Sequence, residues 1–254
     1  MRCSSEFPYF PGAYQMMRWA LDGRFGQIIE VEAGFWHSSD LNPDKPINWK
    51  RMIDINGEYG CMGDLGLHML HIPLRLGWRP HNVRALLSNI IRERPDGQGN
   101  MAPCETWDNA ILATEVETAD QAFPMLLSTK RIAPGHANSW FLKIYGTRFS
   151  AEYSTKQPKE LRVLTYEPGG EQAWQVIDTA HKSAYGSITG GIFEFGFSDA
   201  MLQMWAAFCD ELRHGDQMAQ PFGTARPSEA WASHKLFTAA LESEREGTAV
   251  TIPW

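Results

Sequence analysis

The stretch Glu58-Tyr-Gly-Cys-Met-Gly-Asp-Leu-Gly-Leu-His-Met-Leu-His-Ile-Pro-Leu-Arg-Leu-Gly-Trp78 combines small residues, one acid and two histidines with apolar residues at helical spacing. Leu67, Leu70, Leu74 and, less regularly, Ile72 give a helix a buried stripe. Asp64, His68 and His71 fall at i, i+4 and i+7, so the helix stacks all three on one other face. A carboxylate beside an imidazole on a rigid element suits acid–base chemistry, because the acid orients the ring and favours its charged form. Oxygen plus two imidazoles suits a metal ion equally well on spacing alone, and a solvated or structural pair is the plainer alternative. Glycines at 60, 63 and 66 clear space at the helix start for something that approaches closely, and Gly77 is a stop signal.

Around this helix the chain reads as strands joined by turns. Residues 8–22 form a short amphipathic helix ended by the glycine turn at 22–26. Residues 27–37 alternate charged and apolar side chains, a strand, and residues 38–57 are a loop around Pro43, Pro46 and Trp49. Strand patterns recur over 83–92, 109–118, 123–132, 141–145, 150–153, 161–166 and 174–177, with a turn-rich loop over 94–104. Strands at this spacing, joined by turns, predict a mainly antiparallel sheet. Two helices follow. One runs over 199–214 with Met201, Trp205, Phe208 and Leu212 on a stripe; the other runs over 228–244 with Ser228 as N-cap, before a last strand at 248–252. No linker long enough to divide the chain is present, so the reading is one α+β domain over 1–254: an open, mainly antiparallel sheet with helices on one face.

The totals narrow the function classes. With 43% hydrophobic residues over 254 positions, the chain can bury a sizeable core. A net charge of −7 argues against a nucleic-acid or anionic-membrane partner, and no apolar run is long enough to span a bilayer. Four dispersed cysteines, never spaced as Cys-x-x-Cys, suit free thiols in a reducing cytoplasm. Ten tryptophans and thirteen phenylalanines suit a broad sheet with a large packed or associating face. No phosphate-binding P-loop, nucleophile elbow or zinc-protease motif occurs. Gly97-Gln-Gly-Asn-Met-Ala102 matches the loose G-x-G-x-x-A dinucleotide pattern. It is set aside because Arg94-Pro-Asp96 separates it from a strand and Pro103 follows where a helix should begin.

Taken together, several segments resemble the C-terminal domain of the glucose–fructose oxidoreductase / inositol dehydrogenase / MocA family. Gly63-Asp-Leu-Gly-Leu-His68 is similar to that family's G-x-x-x-D-x-G-x-H helix. Ala133-Pro-Gly-His-Ala-Asn138 and Lys143-Ile-Tyr-Gly-Thr-Arg148 resemble its strand, small loop and following strand, with Phe149-Ser150 where the family has glycine and serine. Gly23-Arg-Phe-Gly-Gln-Ile28 resembles the turn that opens its sheet, and Ala239-Ala-Leu-Glu-Ser243 with Gly247 its final helix.

The resemblance implies an NAD(P)-dependent oxidoreductase acting on a sugar, polyol or related hydroxy compound, and a homo-oligomer formed through the open sheet face. Within it, His68 is the acid/base, Asp64 assists, and Trp49, His71 and His136 contact the carbohydrate-like substrate. It also implies that a family nucleotide-binding domain and its Glu-Lys-Pro lysine precede the segment seen here. Lys45-Pro46 does not match that motif, and His71 stands where an acid is more usual. On this reading the chain holds no nucleotide site and no metal ligands, and binds NAD(H) or NADP(H) weakly by itself. A stand-alone module that kept the sheet and lost the chemistry is the alternative. Asp64 next to His68 further predicts an imidazole pKa raised above its ordinary value.

Overall fold

The computed structural model describes residues 1–179, 182–220 and 222–254. Helix α1 (Pro11–Leu21) leads through a glycine turn into strand β1 (Ile28–Trp36). A long loop follows and holds the one-turn helix α2 (Ile53–Asn56) ahead of α3 (Cys61–Arg75). Next come β2 (Pro80–Ser88), the small hairpin β3 (Glu93–Pro95) and β4 (Met101–Pro103), then β5 (Asn109–Glu117), β6 (Ala122–Lys130) and β7 (Ser139–Gly146). Strands β8 (Phe149–Ser154), β9 (Glu160–Thr165) and β10 (Gln175–Asp178) complete the run, before α4 (Phe197–His214), α5 (Pro227–Glu246) and β11 (Val250–Thr251). Among the described residues no helix is long and apolar enough to cross a membrane.

Nine strands make one open sheet in the order β10-β9-β8-β7-β1-β6-β5-β2-β11. Every pair is antiparallel except β1 with β6. That exception positions the site. Because β1 and β6 run the same way, their C-terminal ends emerge at one edge of the sheet, where antiparallel β7 begins. The loop after β1, the segment after Lys130 and the entry to Ser139 therefore converge.

The strands alternate between a buried and an open face. Ala110, Leu112, Thr114 and Val116 of β5 point inward, as do Phe123, Met125, Leu127 and Thr129 of β6. The helices cover this inner face, with α3 packed on β1, β5 and β6 and α5 packed on β2 and α3. Ile29, Leu86, Ile111, Leu126 and Val176 remain exposed on the strands.

Three local expectations are corrected. Residues 94–104 are not a plain loop but the β3–β4 hairpin. Asp96 closes it by accepting the N–H groups of Gln98 (2.7 Å) and Asn100 (3.0 Å), and Gly97 and Gly99 supply the positive φ angles the turn needs. The stripe assigned to α4 faces outward, with Trp205 54% and Leu212 71% exposed. The helix instead buries Ala200, Gln203, Met204 and Ala207, where short side chains allow close approach to the N-terminal segment and the Gln203 amide binds the backbone of Tyr185 at 2.6 Å. The last helix begins one residue earlier than expected, at Pro227. Its cap is not Ser228 but the Glu229 carboxylate, which accepts the Arg226 N–H at 2.7 Å.

Candidate functional site

Helix α3 starts where the chain needs glycine. Gly60 lies at φ +56°, and a Cβ there would meet the backbone of Trp107 at 2.5 Å. A Cβ on Gly66 would meet the Phe237 ring of α5 at 2.1 Å. The close partners at these two glycines are thus the protein's own Trp107 and Phe237, not a ligand. The far end stops at Leu76 with Gly77 in the left-handed region, as expected. The Trp140 indole N–H of β7 donates to the His68 carbonyl at 2.9 Å, which pins the middle of α3 to the sheet.

Above this helix, at the edge where β1 and β6 end, lies a cavity of about 890 Å³. Its wall takes Glu6 from the N-terminal segment, Phe35 and His37 from the end of β1, and Asp40, Lys45, Trp49 and Lys50 from the long loop. Asp64 and His68 come from α3, Arg131 from the end of β6 and Asn138 from the approach to β7. Asp64 and His68 thus face one cavity. Trp49 lies on its rim, half exposed, with the Lys50 ammonium 5.6 Å from its ring centroid.

His71 does not join them. Its side chain is fully buried and packs on Phe222 at 4.7 Å between centroids. Asp64 and His71 are only about 20° out of line round the helix, but His71 lies about 10 Å further along its axis, where the core residue Phe222 covers that face. Burial, with Arg75 and His68 adding to it, holds the His71 pKa well below the ordinary histidine value. Nor does His136 reach this cavity. It lies edge-on to Trp36 at 4.9 Å and lines a separate groove of about 420 Å³ together with open-face residues such as Phe141 and Lys143. Among the described residues no group of three or more His, Cys, Asp or Glu side chains gathers as a metal site would require.

The cavity wall is a network of desolvated charge. Asp64 contacts the guanidinium of Arg131 and accepts from Lys50 Nζ at 3.1 Å. Asp40 accepts from Lys45 Nζ at 2.9 Å, and Arg131 lies 3.9 Å from its other oxygen. Buried Arg51 pairs with Asp108 at 2.5 Å. Buried Arg94 donates to the carbonyls of Asp40, Asn42 (2.6 Å) and Lys45 (3.3 Å). These arginines tie the long loop to the sheet edge and the hairpin, which holds the cavity open in one shape.

Asp64 is therefore committed to two cations and does not dominate His68. The His68 ring sits edge-on between Phe7 (5.3 Å) and Phe35 (5.5 Å), and its Nδ1 is buried without a hydrogen-bond partner. Burial is the leading influence and lowers its pKa; Glu6 and then Asp64 offset this only in part. The expected upward shift is thus overturned, because the apolar ring contacts outweigh a carboxylate already paired elsewhere. The consequence favours base chemistry, since a lowered pKa leaves the imidazole neutral at neutral pH and able to accept a proton.

Glu6, His37, Asp40, Lys50 and Arg131 were not singled out from the sequence. His37 and Arg131 carry one usable signal, a polar residue closing an alternating strand. Glu6 carries none, since only the fold brings residue 6 beside residue 68. The Gly97 loop does not fit a nucleotide's pyrophosphate. It closes a hairpin, no helix follows it, and the Asp96 carboxylate already occupies the N–H groups a phosphate would need.

No family model matches the sequence, and no curated protein sequence matches it. Solved structures do match. Levoglucosan dehydrogenase in complex with NADH and L-sorbose superimposes with TM-score 0.80 at 20% identity, over 98% of this chain and 64% of that one. An NAD-binding oxidoreductase from Klebsiella pneumoniae gives 0.81 at 17% identity, over 98% and 65%. An inositol dehydrogenase homologue complexed with NAD+ from Azotobacter vinelandii gives 0.73 at 17% identity, over 97% and 63%. These similarities establish the fold alone, across nearly the whole chain. The chain spans just under two thirds of the length of each of these proteins.

Proposed function

We propose that this chain is the substrate-binding and oligomerisation domain of an NAD(P)-dependent oxidoreductase acting on a sugar, polyol or related hydroxy compound. The observation that carries the reading is the placement of a neutral, aromatic-flanked His68 in a polar cavity rich in hydrogen-bonding groups. The fold it shares with dehydrogenases solved with NADH and L-sorbose, or with NAD+, adds support. His68 accepts the proton of a substrate hydroxyl. Asp64, held by Arg131 and Lys50, shapes the wall beside it, while Asn138, Lys45 and the rim residue Trp49 offer hydrogen bonds and an aromatic platform to the remaining hydroxyls. His71 and His136 hold structural positions rather than substrate. NAD or NADP is held by a nucleotide-binding domain outside these 254 residues, and this chain alone binds neither tightly.

The test joins a nucleotide-binding domain to the N-terminus and follows NADH formation with levoglucosan, L-sorbose and inositol. Turnover with at least one sugar or polyol is expected, and His68→Asn reduces it by roughly a hundred- to ten-thousand-fold. A loss of less than about threefold, well short of that range, removes His68 from the chemistry. Sugar binding with no turnover under any condition favours the stand-alone module instead.

The open sheet face is the proposed self-association surface. Its exposed Ile111 (46%) and Leu126 (39%) lie on adjacent strands, with Ile29 and Leu86 further along the sheet. Light scattering should return a multiple of one chain's mass, and a monomer at working concentration removes this part of the proposal.

A further inference from the structure

We propose that Glu6 is the positioning carboxylate of His68, supplying the negative charge that steadies an imidazolium there, while Asp64 serves the cavity wall. The inference rests on the reading of this cavity as the substrate site. Six charged side chains line it, three acidic and three basic. The basic ones are all engaged: Lys45 with Asp40, Lys50 with Asp64, and Arg131 with Asp64 and Asp40. Glu6 is the acid left over. It is only 7% exposed, and among the described residues no Lys, Arg or His lies within ion-pair distance of it.

A carboxylate with no cation beside it has its attraction for a nearby positive charge unspent. His68 lines the same cavity, beyond ion-pair distance of Glu6, and is a group able to gain a positive charge there. Of the two acids that influence its ring, Glu6 acts more strongly than Asp64, whose charge is already neutralised by two cations. The ring's buried Nδ1 has no hydrogen-bond partner.

The placement is rigid. Glu6 immediately precedes a 3-10 turn (Phe7–Tyr9), and its carbonyl accepts the Tyr9 N–H at 3.0 Å. The next residue, Phe7, is wedged against Phe35 (4.6 Å), stacked near Trp140 (6.0 Å) and edge-on to His68. The aromatic wedge that lowers the imidazole's affinity for a proton thus also delivers the carboxylate that restores part of it. When a ligand hydroxyl gives its proton to His68, Glu6 is the unpaired negative charge on the same cavity wall.

The test is an NMR titration of the His68 ring in the 254-residue chain, with the resonance identified by its loss in His68→Asn. The titratable and charged groups bearing on the ring are Glu6, Asp64 and His71, with Arg131 and Lys50 paired to Asp64. Glu6→Gln should lower the His68 pKa by about half a unit or more, roughly threefold in proton affinity, and by more than Asp64→Asn does. Glu6→Asp, which keeps the charge, should restore most of the loss. In the unaltered chain the Glu6 side-chain carboxyl carbon should show an inflection at the His68 pKa, a reading that needs no variant to fold. The proposal is overturned if Asp64→Asn has the larger effect, or if the Glu6 carbon does not sense His68. None of these measurements requires turnover, so they stand or fall separately from the oxidoreductase reading.

Discussion

The two faces of the sheet carry ion pairs of opposite character. On the cavity side Arg51, Arg94 and Arg131 are at most 1% exposed, and Arg51 and Arg131 pair with carboxylates that are themselves largely or fully enclosed. On the open face, Lys143–Glu32 (2.8 Å) and Arg162–Glu152 (2.7 Å) have comparable lengths but remain wetted. Equal geometry does not mean equal energy. Water screens the open-face pairs and leaves each partner content alone, whereas a buried partner left single has nothing to replace it.

The largest effect should come from breaking the enclosed network. Arg131→Met leaves Asp64 and Asp40 each short of a cation and is expected to destabilise the chain by about 3–5 kcal/mol in denaturant unfolding. A loss below about 1 kcal/mol would place this network with the surface pairs. Next comes the helix seam beneath the cavity. Gly66→Ala drives a Cβ into the Phe237 ring, which is itself buried, and should cost about 1–3 kcal/mol. Gly63→Ala, whose nearest contact is 3.5 Å away on Tyr59, is the control and should be neutral or slightly stabilising.

A pH series sharpens the same contrast. His68 and His71 both have pKa values lowered by burial, so the unfolded chain takes up protons that the folded chain refuses. Stability therefore falls as pH drops below the ordinary histidine value of about 6.5, and continues to fall until the lowered folded-state values are reached. Thermal midpoints measured between pH 7.5 and about 5 should decline, and His71→Phe should flatten that decline. A midpoint that rises on acidification contradicts the assignment. The smallest effect belongs to the open face. A double-mutant cycle on Lys143 and Glu32 should give a coupling of about 0.2–1 kcal/mol, weakening with added salt.

The α3 segment was legible in outline and misleading in detail. Its length, glycine stop and pairing of Asp64 with His68 on one cavity follow from spacing, because a helix of fixed pitch places i and i+4 together wherever it is packed. Spacing could not say that His71 turns into the core, nor that Gly60 and Gly66 serve Trp107 and Phe237. The α4 stripe failed for a related reason. Trp205 and Leu212 have the correct period, yet the helix buries its alanine and glutamine side, which fits closely against the chain's first residues.

An open antiparallel sheet with a one-sided helical cover was legible along the chain, since alternation in each strand specifies which residues leave water before any partner is known. Helical spacing also brought Asp64 and His68 to a shared wall. What those two residues face follows from how distant segments pack together. Parallel pairing of β1 with β6 brings His37 and Arg131 to one sheet edge, and an aromatic wedge carries Glu6 to a histidine sixty-two positions away. The reason is that charge and desolvation act through space: a carboxylate's influence depends on its distance and on the cations already beside it, and neither is written in local order along the chain.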